Sequence, residues 1–146
     1  MSTSETLCNS SQFARTDAVA DPQHAATIRR EFSDWLHEHF MLDATKACDM
    51  VLAVNEALAN AAEYAYASAE CPGVMHVHAN YDDTAATLTV TVTDHGAWRE
   101  SDAGTRQIKR GRGIPLMQAL ADRATLDSSG TGTRVRLEWN QIGAPR

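Results

Sequence analysis

The stretch VMHVHANYDDTAATLTVTVTD, residues 74–94, decides how this chain is read. Apolar and polar side chains alternate through VMHVHANY at 74–81 and again through ATLTVTVTD at 86–94. A period of two sends successive side chains to opposite faces of a strand, and the β-branched residues of the second run suit one. Asp82 and Asp83 between the runs predict a hairpin turn. A hairpin with one apolar face needs cover on that face, so the flanking sequence is expected to supply helices.

Upstream, QFARTDAV at 12–19 reads as a first strand, preceded by a Ser/Thr-rich stretch, residues 1–10, expected to be a flexible tail. DPQHAATIRREFSDWLHEHF follows, with Asp21 placed as N-cap and Pro22 at the first helical position. Ile28, Phe32, Trp35 and Leu36 fall at helical spacing and predict its buried stripe. A second helix is predicted from near Asp43 to about Tyr66. Downstream of Asp94, HGAWRESDAGTRQIKRGRG at 95–113 has no apolar period and reads as a long loop. IPLMQALADR is then a short helix, and TLDSSG with TRVRLEWN a closing hairpin around Gly130 and Gly132. This order predicts an α+β fold, a two-layer sandwich with helices on one face of a mainly antiparallel sheet, in a single domain over 11–146.

The bulk numbers fit that reading. The chain has 146 residues, 43% of them apolar and 22% charged, which is ordinary globular composition. A formal net charge of −6 gives no general electrostatic case for nucleic acid or an anionic membrane as partner. No apolar run reaches membrane-spanning length, and the polar start, MSTSETLCNSSQ, lacks the pattern of a signal peptide. Cys8, Cys48 and Cys71 are odd in number and widely spaced, as expected of reduced thiols in a cytoplasmic protein.

Chemistry is concentrated in four fragments. NEALANAAEYAY at 55–66 puts Met50, Val54, Ala57, Leu58, Ala61 and Ala65 on one helical stripe, with Glu56 and Asn60 one turn apart and directed roughly away from it, close to Glu63. The plain interpretation is a solvated outer face. Against it, the neighbouring positions are Leu52, Ala53 and Ala59, with no Lys or Arg, which suits a floor beneath something bulky. A carboxylate beside an amide oxygen can hold hydrated Mg²⁺ when phosphates supply the other ligands, or can deprotonate a hydroxyl. TVTVTDHGAW ends a strand at Asp94 with Gly96 two residues on, where a carboxylate can accept a hydrogen bond from an exocyclic amine. GRGIPLMQAL opens a helix with Gly111 and Gly113, where backbone N–H groups favour phosphate. GTGTRVRL sets Gly132 and Thr133 at a strand start. Each fragment alone has innocent uses in turns, and neither a Walker loop nor the dinucleotide fingerprint is present.

Taken in order, E-x-x-x-N on a helix, D-x-G after a strand, a long loop, G-x-G before a helix and G-T-x-V entering a strand resemble the GHKL ATPase superfamily, over about Phe13 to Trp139. EALANAAEYAY and GRGIPLMQALAD look like its anti-sigma-factor serine/threonine kinase branch. The resemblance implies a Bergerat-type ATP-binding fold, with ATP and Mg²⁺ as cofactors. It implies Asn60 as Mg²⁺ ligand and Glu56 as general base toward a protein seryl or threonyl hydroxyl. It further implies Asp94 on the adenine amine, supported by Gly96 and Thr133, with Gly111 and Gly113 closing over the phosphates. Arg106, Lys109, Arg110 and Arg112 would neutralise charge on the transferred phosphoryl group, the plain alternative being a solvated lid. The implied partners are a sigma factor, a STAS-type anti-sigma-factor antagonist and a second copy of the chain, with no direct contact to nucleic acid or membrane.

The sequence departs from the superfamily pattern twice: Trp98 stands where a final glycine often follows D-x-G, and Tyr64 where related kinases often have histidine. Two other readings stay open. One is a non-catalytic, ATP-binding anti-sigma or adaptor module acting by docking; the other is a histidine-kinase-like ATPase serving a separate phosphoacceptor. His76 and His78 share a strand face near Cys71, but no fourth ligand or known spacing supports zinc there. His37 and His39 flank Glu38 near a helix end, where cationic side chains suit the dipole.

Overall fold

The computed structural model describes residues 5–8, 11–62, 73–95, 115–129 and 132–145, with backbone alone for 5–8 and 129. Among the described residues, six strands form one sheet in the order β1-β2-β3-β4-β6-β5, and every neighbouring pair is antiparallel. They are β1 (Glu5–Cys8), β2 (Gln12–Val19), β3 (Val74–Asp82), β4 (Thr87–Asp94), β5 (Arg123–Ser129) and β6 (Gly132–Trp139). Two helices, α1 (Pro22–His39) and α2 (Ala44–Asn60), cover one face, and a short helix α3 spans 115–120. The predicted two-layer α+β sandwich is therefore the observed one. One element differs: Glu5–Cys8, inside the stretch read as a tail, pairs with Phe13–Thr16 of β2. Four residues carry too short an alternation to signal a strand; the open edge of β2 supplies the hydrogen bonds.

Both helices start where their caps dictate. Asp21 is extended at φ −137°, and its Oδ1 accepts the His24 backbone N–H at 2.7 Å, with Pro22 next. Asp43 Oδ1 likewise accepts from the Lys46 N–H at 2.7 Å. Ala25, Ile28, Phe32, Trp35 and Leu36 are the buried side of α1, as their spacing predicts. Phe13 from β2 packs edge-on against Phe32, ring centroids 5.8 Å apart, and Trp35 lies at the same distance. Burying each such side chain contributes roughly 1.5–3 kcal/mol, so this cluster fixes α1 on the sheet.

On α2 the buried positions are Ala47, Met50, Ala53, Val54, Ala57, Leu58 and Asn60. The alanines let the helix settle closely on β4 and β6, against which it packs. Beneath it lie Leu88, Val90 and Val92 of β4 and Val135, Leu137 and Trp139 of β6, all buried. The other face of the sheet is polar: Thr87, Thr89, Thr91 and Thr93 alternate with the buried residues of β4, and Arg134, Arg136 and Glu138 do so on β6. A β-bulge between Arg15 and Ala18 interrupts β2, with Asp17 in the left-handed region at φ 56°. The β3–β4 turn closes as its aspartates suggested, Asp82 Oδ1 accepting from the backbone N–H groups of Thr84 at 3.0 Å and Ala85 at 3.3 Å.

Chain order and sheet order diverge after β4. The strand that pairs with β4 is β6, while β5 lies outside it as the edge. α3 is tied down at its C-terminal end, where Trp139 Nε1–H donates to the Leu120 carbonyl at 2.9 Å and Met117 is buried. Beyond β6 the chain returns under the β3–β4 turn: Ile142 N–H donates to the Ala86 carbonyl at 2.9 Å, and the Tyr81 hydroxyl to the Ile142 carbonyl at 2.7 Å.

Candidate nucleotide site

Among the described residues, the buried polar or charged ones are Asn60, Asp94 and Thr133, at 5%, 4% and 3% exposure. All three belong to the residues singled out from sequence, and a polar side chain is placed in a core only against a cost. Asp94 is the last residue of β4 and lies directly opposite Thr133, the second residue of β6. The alternation of both strands aims this pair at the helix layer, since Val92 and Val135, two residues inward on each strand, are buried core.

The start of β6 is shaped for close approach. Gly132 has φ 154°, and a Cβ there would overlap the Asp94 carbonyl oxygen. Ser128 on β5 pairs with Thr133, their hydroxyl oxygens 3.4 Å apart. Together Thr93, Asp94, His95, Asp127, Ser128, Gly132, Thr133 and Arg134 line an open cavity of about 370 Å³ at the strand ends. A carboxylate, two hydroxyls and exposed strand-end backbone can read the hydrogen-bonding edge of a flat heterocycle.

On α2 the geometry corrects the helical-wheel reading. Asn60 does not point away from the core; it is buried in line with Ala53 and Ala57, and only Glu56 is left half-buried at the margin. Close packing of an alanine-rich helix on the sheet widens its buried sector enough to include position 60. The Asn60 Nδ2 is fully buried and has no hydrogen-bond partner among the described residues. An orphaned amide donor normally costs about 1–3 kcal/mol, and the same side chain carries an amide oxygen. That oxygen is a suitable hard donor for Mg²⁺, so the residue fits the ion. The cavity lining includes neither Glu56 nor Asn60; the link between the two halves is the packing of α2 on the strands that carry Asp94 and Thr133. At its end the chain passes into a wider π-type turn at 61–62, a local irregularity common beside functional residues.

Gly96, Arg106, Lys109, Arg110, Gly111, Arg112 and Gly113 lie outside the described residues, as do Tyr64, Cys71 and Trp98. Ser128, Asp127, His95 and Arg134 are cavity residues that sequence reading did not pick out. Ser128, Asp127 and Arg134 follow from the expected hairpin, in which β5 pairs with β6 as predicted, and His95 from its place directly after Asp94. His76 is engaged in hydrogen bonds to Asp17 and His95. Among the described residues no three His, Cys, Asp or Glu side chains are grouped to hold a metal.

The histidine kinase-like ATPase domain model matches residues 18–139, and the chain belongs to that family. Among solved structures it is similar to the RsbU and RsbW domains of Rv1364c from Mycobacterium tuberculosis, with a TM-score of 0.68 and 24% sequence identity. That match covers 92% of this chain and 34% of the other, so this chain spans about a third of its relative's length. At this identity the likeness concerns the fold. Among the described residues, no helix is long and apolar enough to cross a membrane.

Proposed function

We propose that the protein is an ATP-dependent serine/threonine protein kinase and anti-sigma factor of the cytoplasm. In this reading it binds a sigma factor and phosphorylates a STAS-type anti-sigma-factor antagonist. The observation that carries it is the choice of buried polar residues: a carboxylate and a hydroxyl facing each other at the strand ends, and an amide on the helix that packs over those strands. Family membership supports ATP as the ligand. The presence of an RsbW domain in the similar mycobacterial structure favours this branch over a histidine-directed ATPase.

Each residue then has a task. Asp94 accepts the exocyclic amine of adenine, and the Thr133 hydroxyl, paired with Ser128, completes that edge. Asn60 offers its amide oxygen to Mg²⁺, which when bound neutralises charge on the phosphates. Glu56, half-exposed one turn before Asn60, accepts the proton of the attacking seryl or threonyl hydroxyl. Gly96, Gly111 and Gly113 would border the nucleotide, and Arg106, Lys109, Arg110 and Arg112 would answer the phosphate charge. A second copy of the chain is the expected oligomeric partner.

The deciding experiment incubates the protein with labelled ATP, Mg²⁺ and the STAS-type proteins of the same organism, alongside Glu56→Ala. Acid-stable label on serine or threonine, made by the wild type and not by the variant, is the expected result. Tight ATP binding without transfer to any candidate would instead identify a docking module, and acid-labile label a histidine-directed enzyme.

A further inference from the structure

One wall of the strand-end cavity is held by a contact that nucleotide recognition does not require. His95, which lines the cavity directly after Asp94, has its Nε2 3.0 Å from the Nε2 of His76 on β3. The rings meet edge to face, with centroids 5.0 Å apart and planes at 72°. On its far side, His76 Nδ1 accepts the Asp17 backbone N–H at 3.0 Å. Asp17 is the left-handed residue of the β2 bulge, so the bulge frees an N–H from the regular ladder and gives it to the imidazole.

These contacts fix the protons. A His76 Nδ1 that accepts from Asp17 carries its hydrogen on Nε2, which donates to a bare Nε2 of His95. A proton added to His95 Nε2 sets two N–H groups head to head. A proton added to His76 Nδ1 opposes the Asp17 N–H, although the Asp17 carboxylate, 4.0 Å away, can take it up by a small shift. The inter-ring bond therefore tolerates a charge on His76 but not on both rings. Among the described residues, the other titratable or charged groups near the pair are Asp94, adjacent in the chain, His78 on the same face of β3, and, on the polar face, Arg134 opposite Thr93 and Asp127 opposite Arg134. The last two are of opposite sign and both exposed, so neither replaces the lost bond.

We infer that His76 is a positioning residue of the nucleotide cavity: through its hydrogen bond to His95 it holds the wall beside Asp94, and protonation of the pair releases that wall and weakens nucleotide binding. This rests on the reading of the cavity as the ATP site. Loss of one neutral hydrogen bond corresponds to about a fivefold change in an equilibrium.

The test measures MgATP affinity calorimetrically for wild type, His76→Gln and His76→Phe from about pH 8 to about pH 5, the range in which imidazoles titrate. Glutamine can still donate to His95 and does not titrate; phenylalanine keeps the ring and removes the donor. The titration of ATP itself is common to all three. The wild type should lose about fivefold more affinity than His76→Gln as pH falls, and His76→Phe should bind weakly throughout. Equal pH dependence in all three would overturn the inference. Imidazole ¹⁵N spectra of the nucleotide-free wild type give a separate reading at high pH, where one protonated and one bare Nε2 are expected; two bare or two protonated Nε2 atoms would also overturn it. If MgATP bound at no pH, the ATP reading would fall and the coupling with it, while the spectra would still show whether the imidazole bond exists.

Discussion

Asp94 and Thr133 face each other across the β4–β6 ladder, both buried, in strands separated along the chain by α3 and β5. Because no regular fold requires a carboxylate and a hydroxyl in a core, their pairing is the sharpest sign of what the molecule holds. Asp94→Asn preserves size and replaces an acceptor oxygen by a donor. Its affinity for MgATP should fall by about ten- to a hundredfold, the worth of a hydrogen bond to a charged group. Isothermal titration checks this, and unchanged affinity would detach Asp94 from adenine.

Glu56 is expected to separate binding from transfer. Glu56→Ala should bind MgATP within about threefold of wild type while phosphorylating its substrate at least about a hundredfold more slowly, as loss of a general base requires. Single-turnover assays with labelled ATP measure both quantities on one preparation.

Asn60 should trade stability against function. Because its Nδ2 is already unpartnered, Asn60→Ala removes a buried orphan, and its unfolding free energy should change by no more than about 1 kcal/mol. The Mg²⁺ dependence of nucleotide binding should nevertheless be lost. Urea denaturation and a Mg²⁺ titration, run side by side, test the two halves.

At Gly132 the expected effect is on the architecture itself. A methyl group there would collide with the backbone of Asp94, so Gly132→Ala should destabilise by about 2 kcal/mol or more and displace the β4–β6 ladder at its open end. Thermal unfolding and amide exchange at Asp94 and Thr133 would show it.

Asp21 gives a pH prediction with a definite sign. The His24 backbone N–H on its carboxylate holds the group below its ordinary value of 3.8. Its contribution is complete above that value and is lost as pH falls through the lower folded value. Asp21→Ala should cost about 1 kcal/mol at neutral pH, and the difference from wild type should shrink in strong acid. Denaturation midpoints at neutral and strongly acidic pH measure it.

Much of this was legible from local chemistry. The caps at Asp21 and Asp43, the stripe of Ile28, Phe32, Trp35 and Leu36, and the alternation of β3 and β4 are decided within a few residues, and the structure places them accordingly. The burial of Asn60 was not legible, because it depends on how closely an alanine-rich helix sits on a sheet several elements away. The closing hairpin that sets Ser128 beside Thr133 was legible, but the pairing of its second strand with β4, which brings Asp94 opposite Thr133, was not. The imidazole pair depends on a bulge at Asp17, and QFARTDAV gives no hint of one.

The swapped order of the final two strands also sets a timetable. Thr133 belongs to the strand that follows the other described ones in this sequence, yet it lies between β4 and β5 in the sheet. A polypeptide grown only to residue 130 would have α1, α2 and Asp94 but not the strand that completes the pair. The strand-end cavity should therefore form only once β6 has been made.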